Sequence, residues 1–536
     1  MSGDELIPIG VDLGSLHARV AIGNVSHQNV PPKGNTDTRP LPNIISNAQG
    51  SRYTLALVGS ESISSEGDAS SDAIRHIFGE AARRALAREK KPTISKDPSS
   101  MVREMIKSSS SVDGGDSDKS SAAAAFFGHL ADLACDASSS HPSKLRAVVS
   151  VNVGASPEEQ AAAVETIEAG VIEALKARSD MKKKKKGAES IVVGVISDPV
   201  AVCIAHGLTE VQNATIDFTS PNPQTWKNAL VVDWGASGLT ATHICRASPN
   251  SSLLKIMKHA TETGCSGTAI VNAVVSHCAS MFERKNRISG VLDSVKAHHR
   301  LELACESAVR ALSRAPTTAV SIDGLYEGID LNVPISRPRF DMMVSGMLKK
   351  AETLLQSFSE GLDNFDVVLL AGNVCDMPSA TNLIRTKLFP DASAGRNDVP
   401  ADEAIAIGCA RHATSVLSCQ TYSKEGGKST DKTVGLTTRK AKACPINIGI
   451  AKNDDKENAV PLIEVGQALP ANTTRSFASS GEGVVIVQMS GGITKSSKVL
   501  GRIEKLPTDT NFEITMELSA TGKLSLSVNG GPMVSL

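Results

Sequence analysis

Aromatic residues are scarce in this chain of 536 residues: 3% of positions, with only two tryptophans. Few rings are therefore at hand on which the bases of a single-stranded nucleic acid could stack. Charge of one sign is lacking as well. Lys and Arg number 56 against 57 Asp and Glu, a formal net charge of −1, so no overall field favours DNA, RNA or an anionic membrane. No apolar run approaches the roughly 20 residues that span a bilayer. The start, "MSGDELIPIG", lacks the basic-then-apolar order of a secretion signal. The ten cysteines form no C-x-x-C pair, and none of the twelve histidines sits at a spacing that would complete a zinc site with them. Several cysteines lie inside apolar runs, as reduced and buried thiols do, so a cytoplasmic location is expected.

What is present is ordinary globular material, 41% hydrophobic and 21% charged, long enough for two or more domains with separate cores. Up to about residue 417, short apolar strands alternate with helical segments, the pattern of an α/β domain. Strands are expected at Pro8–Leu13, Arg19–Gly23, Tyr53–Val58, Ala147–Val151, Ile191–Ile196, Ala229–Asp233, Leu253–His259 and Val367–Ala371. Helices are expected from Pro157, which is followed by two acids in the first turn, and over 295–314, where apolar residues recur at helical spacing. "KSSSSVDGGDSDKSSAAAA" (107–125) reads as a mobile loop. "MKKKKKGAES" (181–190) reads as a solvated loop, with an RNA contact or a targeting signal as the alternative. Residues 418–443 are polar and aperiodic, a linker, and 444–536 carry only short alternating strands, an all-β domain ending without a helix.

Two turns share a plan. "IGVDLGSLHA" and "VVDWGASGLT" each end an apolar strand in Asp, one residue, then Gly. A glycine turn lets backbone N–H groups meet phosphate oxygens, and the Asp can hold Mg²⁺ through its waters. Singly each motif is common in β-turns. Three more segments join them in order: "VGVISDPVAVCIAHGL" with Asp198, "VVLLAGNVCDMPSATNLI" with Gly372 and a helix near Pro378, and "DEAIAIGCA", a helix carrying Gly408 on an apolar face.

Taken together these segments resemble the actin-like ATPase domain, a duplicated ribonuclease H-like fold, of the heat shock protein 70 (DnaK-type) family. "RLELACESAVRALS" and "SIDGLYEGIDLNVPISRPRF" match that family's subdomain segment closely. "VGQALPANTT", "VLGRIEKL" and "GKLSLSV" are similar to its β-sandwich substrate domain. The resemblance implies ATP and Mg²⁺ as cofactors. Asp12, Asp198 and Asp233 would face the hydrated metal; Gly14, Ser15 and Leu16 would line one phosphate loop, and Gly235, Ala236 and Ser237 the other. Gly267 would lie by the phosphates or ribose, and Arg83 would take the place of a Lys beside the attacking water. Glu306, Arg310 and Ser313, on one helix face, would clasp the adenosine with Gly372, Asn373, Val374 and Asp402.

Departures from the family pattern cluster where hydrolysis would occur. The family's Gly-run, Thr and later Asp read here Ala236, Ser237, Gly238 and Thr240. A phosphate-loop Thr is Leu16, an adenosine-side Lys is Val309, and an Arg is Asp376. Residues 419–443 hold no acid-flanked leucine run, and no counterpart of the family's helical lid is expected. This combination looks like the atypical Ssz-type members of the fungal ribosome-associated complex. It implies ATP binding with little or no hydrolysis, and so no catalytic residue. The implied partners are a zuotin-like J-domain protein as a stable heterodimer, its N-terminal segment on the β-domain, the ribosome, and a conventional DnaK-type chaperone whose ATPase the pair stimulates.

Overall fold

The computed structural model describes residues 6–23, 40–63, 73–86, 93–95, 117–153, 165, 167, 169–170, 191–208, 226–246, 254–425, 447–452, 460–463, 471–478, 483–489, 497–503, 511–519 and 523–535. Two mixed sheets repeat one plan. In the first, strand Ile7–Leu13 turns back antiparallel into His17–Ile22 and lies parallel to Leu145–Val151, which is parallel to Val192–Ser197. In the second, Asn228–Trp234 turns back into Leu239–Arg246, is parallel to Val367–Ala371, and Leu254–Glu262 closes the far edge. The central strands are buried along almost their whole length. That explains why they read as continuous apolar runs and not as alternating ones: both faces are covered.

The space between the sheets is filled by two helices, Asp198–Ala205 and Ala404–Glu425. They share an apolar cluster with Val148, Val231 and Leu369 from both sheets. The outer face of the first sheet packs on Ser117–Ser138 through Phe126, Leu130 and Cys135. The outer face of the second sheet packs on Gly267–Asn286, Val295–Arg314 and Arg337–Ser359. Trp234 sits at the centre of this last layer, fully buried, its indole Nε1 donating to the Cys265 carbonyl at 2.7 Å. Trp234→Phe would leave that carbonyl unsatisfied. A loss of about 2 kcal/mol is expected in urea denaturation.

Residues 447–535 supply two four-stranded sheets, one running Val460–Ile463, Asn447–Lys452, Val484–Met489, Ser497–Ile503, the other Ala471–Phe477, Phe512–Leu518, Leu524–Val528, Val534–Ser535. Ile450, Ile486, Phe477 and Phe512 meet in a single cluster.

Several sequence expectations change. Residues 117–125, read as the end of a loop, are the first turns of the helix Ser117–Ser138. Four consecutive alanines favour helix, and the following Phe126 and Phe127 anchor it in the core. The expected strand Tyr53–Val58 is two: Thr54–Leu55 pairs with His17–Ile22, while Val58–Ile63 belongs to a separate three-stranded sheet. The helix Ala404–Glu425 runs past 417 into the segment read as linker. "ANTTRSF" (471–477), which shows no apolar alternation, is a strand because it pairs in full register with Phe512–Leu518. Of the helix expected after Pro157, residues 165, 167, 169 and 170 are described and are helical. The lysine run at 182–186, residues 107–116 and residues 426–443 lie outside the described residues. Among the described residues no helix is long and apolar enough to cross a membrane.

Candidate functional site

The two hairpins point their turns at each other across a cleft whose empty space, the open solvent at its mouth included, is about 1080 Å³. Leu13–Leu16 line it from the first hairpin and Gly235, Ala236 and Ser237 from the second. The second turn is pinned by its own backbone: Gly235 N donates to Gly238 O, and Gly267 N and Thr268 N donate to the carbonyls of Gly235 and Ala236. The start of the helix Gly267–Asn286 is thereby fixed against the turn, with Ser266 capping it by accepting from Ala269 N.

Three aspartates converge on the floor. Asp12 and Asp233 are each the last residue but one of their strands, and Asp198 opens the helix Asp198–Ala205, where a negative charge suits the helix N-terminus. Burial pushes the Asp12 carboxyl up to about 8; Arg19 opposes this, while Asp198, Asp233 and Asp402 add to it. Burial, with Asp198 beside it, raises Asp233 to about 7. Acids gathered under such strain favour the arrival of a cation. Among the described residues no three His, Cys, Asp or Glu are close enough to ligate an ion directly. A Mg²⁺ that keeps its waters suits the arrangement better than a bare one.

The opposite wall is the helix Val295–Arg314, which presents Glu306, Val309, Arg310 and Ser313 to the cleft. Gly372, Asn373 and Val374, after the strand Val367–Ala371, and Asp402 complete it. Every residue that the resemblance assigned to the site therefore borders this cleft except Arg83. Arg83 is buried and its Nη1 donates to Glu306 Oε2 at 2.9 Å; a buried guanidinium needs a carboxylate, and this one is spent on Glu306. Asp376 lies in the turn Asn373–Asp376, its carboxyl raised to about 6 by burial and by Asp402.

Glu306 is the hub of a network across the cleft. It accepts from Arg83 and, at 2.8 Å, from Arg310. Arg310 also donates to the Tyr53 hydroxyl and to His17 Nε2. Because Nε2 accepts there, its 3.3 Å approach to Glu306 Oε1 is not a hydrogen bond. Burial holds His17 neutral, its pKa down at about 4. Burial alone would raise Glu306; the charges of Arg310 and Arg83, both of which donate to it, hold it at about 2. A folded-state value below the unfolded 4.5 stabilises the protein above pH 4.5, and that stability is lost as pH falls toward 2. Glu306→Ala would strand two guanidinium groups. We expect a loss of about 3 kcal/mol near neutral pH and a shallower acid-unfolding profile, read by circular dichroism.

Sequence reasoning missed His17, Arg19, Tyr53 and Asn152. His17, Arg19 and Asn152 line the cleft, and Tyr53 stacks edge-on against His17 at 4.3 Å. Arg19 had a signal: it is the one charge in the otherwise apolar run "ARVAIG", opposite Asp12 in the hairpin.

With two turns, three aspartates and a helical wall around one cleft, comparison with known proteins becomes informative. A family model described as "Hsp70 protein" matches residues 160–438, more than half of the chain. The chain belongs to the Hsp70 family. It is 27% identical over 352 residues to "Heat shock 70-related protein 5" of Dictyostelium discoideum, covering 63% of this chain and 66% of that protein. It is 26% identical over 353 residues to "Heat shock 70 kDa protein" of Penicillium citrinum, covering 63% and 64%, and 25% identical over 313 residues to "Heat shock 70 kDa protein 14-A" of Xenopus laevis, covering 56% of each. The matched part thus spans about two thirds or less of these relatives. The mixed sheets are those of the Hsp70 ATPase domain, and the family binds ATP with Mg²⁺.

Proposed function

We propose that this Hsp70-family chain binds ATP and hydrolyses it slowly or not at all, acting as an Ssz-type chaperone subunit. The observation that carries this reading is the second turn. A Cβ on Gly238 would stand 2.7 Å from the Glu262 carbonyl, so the backbone leaves no room for the hydroxyl side chain the family pattern has there. Two residues on, Thr240 stands where that pattern has a carboxylate, and its hydroxyl is paired with Thr261 at 3.1 Å. Leu16 offers no hydroxyl on the other turn, and Arg83 is committed to Glu306. Phosphoryl transfer depends on groups that position water and spread charge, and removing such groups lowers turnover by orders of magnitude. The glycine turns and the aspartates, which serve binding, remain.

In this reading the three aspartates hold Mg²⁺ through water, the glycine turns take the phosphates, and Arg310 and Glu306 open toward the adenosine. The metal would neutralise charge on the phosphates. Bound ATP then serves as a strut: at 100 times its Kd a ligand adds about 2.7 kcal/mol of stability. The two C-terminal sheets act as a β-sandwich whose edges take an extended segment of a J-domain partner, and the pair works at ribosomes in the cytoplasm beside a conventional DnaK-type chaperone.

Thermal shift with ATP, followed by single-turnover hydrolysis, tests the nucleotide part. A rise in melting temperature with cleavage far slower than in a conventional family member is expected; rapid cleavage would instead make the chain an active DnaK-type ATPase. Purification from cell extract at moderate salt tests the partnership, with co-recovery of a J-domain protein and ribosomes expected.

A further inference from the structure

Arg19 is buried to 6% exposure yet incompletely bonded. Its strand position faces Asp12 in the first hairpin. Nη2 donates to Asn373 Oδ1 and to Asp402 Oδ2, both at 2.9 Å, and these two bonds set the orientation of the guanidinium plane. Nη1 comes only within 3.9 Å of Asp12 Oδ2, too far for a hydrogen bond. Nε is buried with no hydrogen-bond partner. Arg19 lines the same cleft as the two glycine turns. A buried cation with idle donors is unfavourable unless a ligand completes it.

We propose that Arg19 is a phosphate-binding residue, donating from Nη1, the donor left free by Asn373, Asp402 and Asp12, to the phosphate chain of the nucleotide. The inference rests on the nucleotide reading of the cleft and adds to it a fixed positive charge supplied by the chain itself. Chemistry selects phosphate over the other parts of a nucleotide. Adenine and ribose are uncharged, whereas a guanidinium matches a phosphate in both charge and geometry. The need is local as well: Asp12, Asp198, Asp233 and Asp402 all act on this floor, and without an intrinsic cation they would repel an incoming polyphosphate. Asn373 and Asp402, assigned to the adenosine side, acquire a second task as the brackets that hold Arg19 in place.

The test is calorimetric binding of adenosine, ADP and ATP, in Mg²⁺ buffer, to the full chain and to Arg19→Gln and Arg19→Lys. Loss of a charge-assisted bond predicts that Arg19→Gln weakens ADP and ATP by roughly tenfold to a hundredfold while adenosine changes by less than about threefold. Arg19→Lys, which keeps the charge and the fold but not the fork, should recover part of that loss and still bind ATP several-fold more weakly than the parent. A residue that only braced Asn373 and Asp402 would weaken adenosine as much as ATP, and that result overturns the proposal. So does unchanged ATP binding by either variant. A parent chain that binds none of the three ligands refutes the nucleotide reading itself; a parent that binds ATP with variants indifferent to phosphate refutes only the role of Arg19.

Discussion

Gly408→Ala is expected to destabilise the chain by about 3 kcal/mol, although it adds a single methyl group. A Cβ at position 408 would stand 1.8 Å from the Ala201 carbonyl oxygen and 2.5 Å from its carbon. Both belong to the backbone of the helix Asp198–Ala205, so no rotamer change relieves the clash. The two helices must separate, and the apolar cluster between the sheets opens with them. Gly10 permits the matching approach on the other side, where a Cβ would meet Ala406 O at 2.3 Å. Displacing Asp198–Ala205 also moves Asp198, so ATP binding should weaken with stability. A thermal melt followed by circular dichroism should show a fall of roughly 3 to 4 °C. Gly346→Ala is the control. It lies on the helix Arg337–Ser359 with nothing within 4 Å of the new Cβ, and helix propensity predicts a neutral change or a gain of up to about 1 kcal/mol.

Asp233→Asn is expected to move stability and binding in opposite directions. The Asp233 carboxyl is raised from 3.8 to about 7 by burial and by Asp198. Between those values the folded chain holds a proton that the unfolded chain has released. Its contribution to stability is therefore greatest at low pH and declines as pH rises toward 7. Asp12, raised to about 8, acts in the same sense. The ligand-free chain should therefore be stabler near pH 5 than near pH 8 as far as these groups decide it. Glu306 works oppositely, but only below pH 4.5. Asn at 233 removes the charge whose burial is unfavourable, so the ligand-free variant should gain about 2 kcal/mol at pH 8 and little at pH 5. With the carboxylate gone, Mg²⁺·ATP should bind at least about tenfold more weakly, the loss of roughly one charged hydrogen bond. Melting temperatures at the two pH values, with and without Mg²⁺·ATP, read both effects. A variant no stabler than the parent at pH 8 would mean that Asp233 is already neutralised by its surroundings.

Much of the site was legible in sequence because its parts are local. A strand, an Asp and a glycine turn occupy about ten consecutive residues, so Asp12 with Gly14 and Asp233 with Gly235 announce themselves. Helical spacing alone puts Glu306, Arg310 and Ser313 on one face. The run "VVLLAGNV" ends its strand where Gly372 and Asn373 enter the cleft. The less legible parts depend on partners far along the chain. Arg19 meets Asn373 and Asp402 across 354 and 383 residues, and Arg83 meets Glu306 across 223. No spacing rule carries such pairings. They exist because two sheets close on the same pair of helices.

By itself the sequence determined the α/β-then-β order, the apolar strands buried on both faces and the two Asp-x-Gly turns. Each of these follows from backbone preference and periodicity over a few residues. Only the tertiary structure decided which charges neutralise one another. When it is buried, a guanidinium or carboxylate takes its character from the nearest opposite charge. That neighbour made Arg83 a brace for Glu306 and fixed Arg19 against Asn373 and Asp402, while burial held His17 neutral.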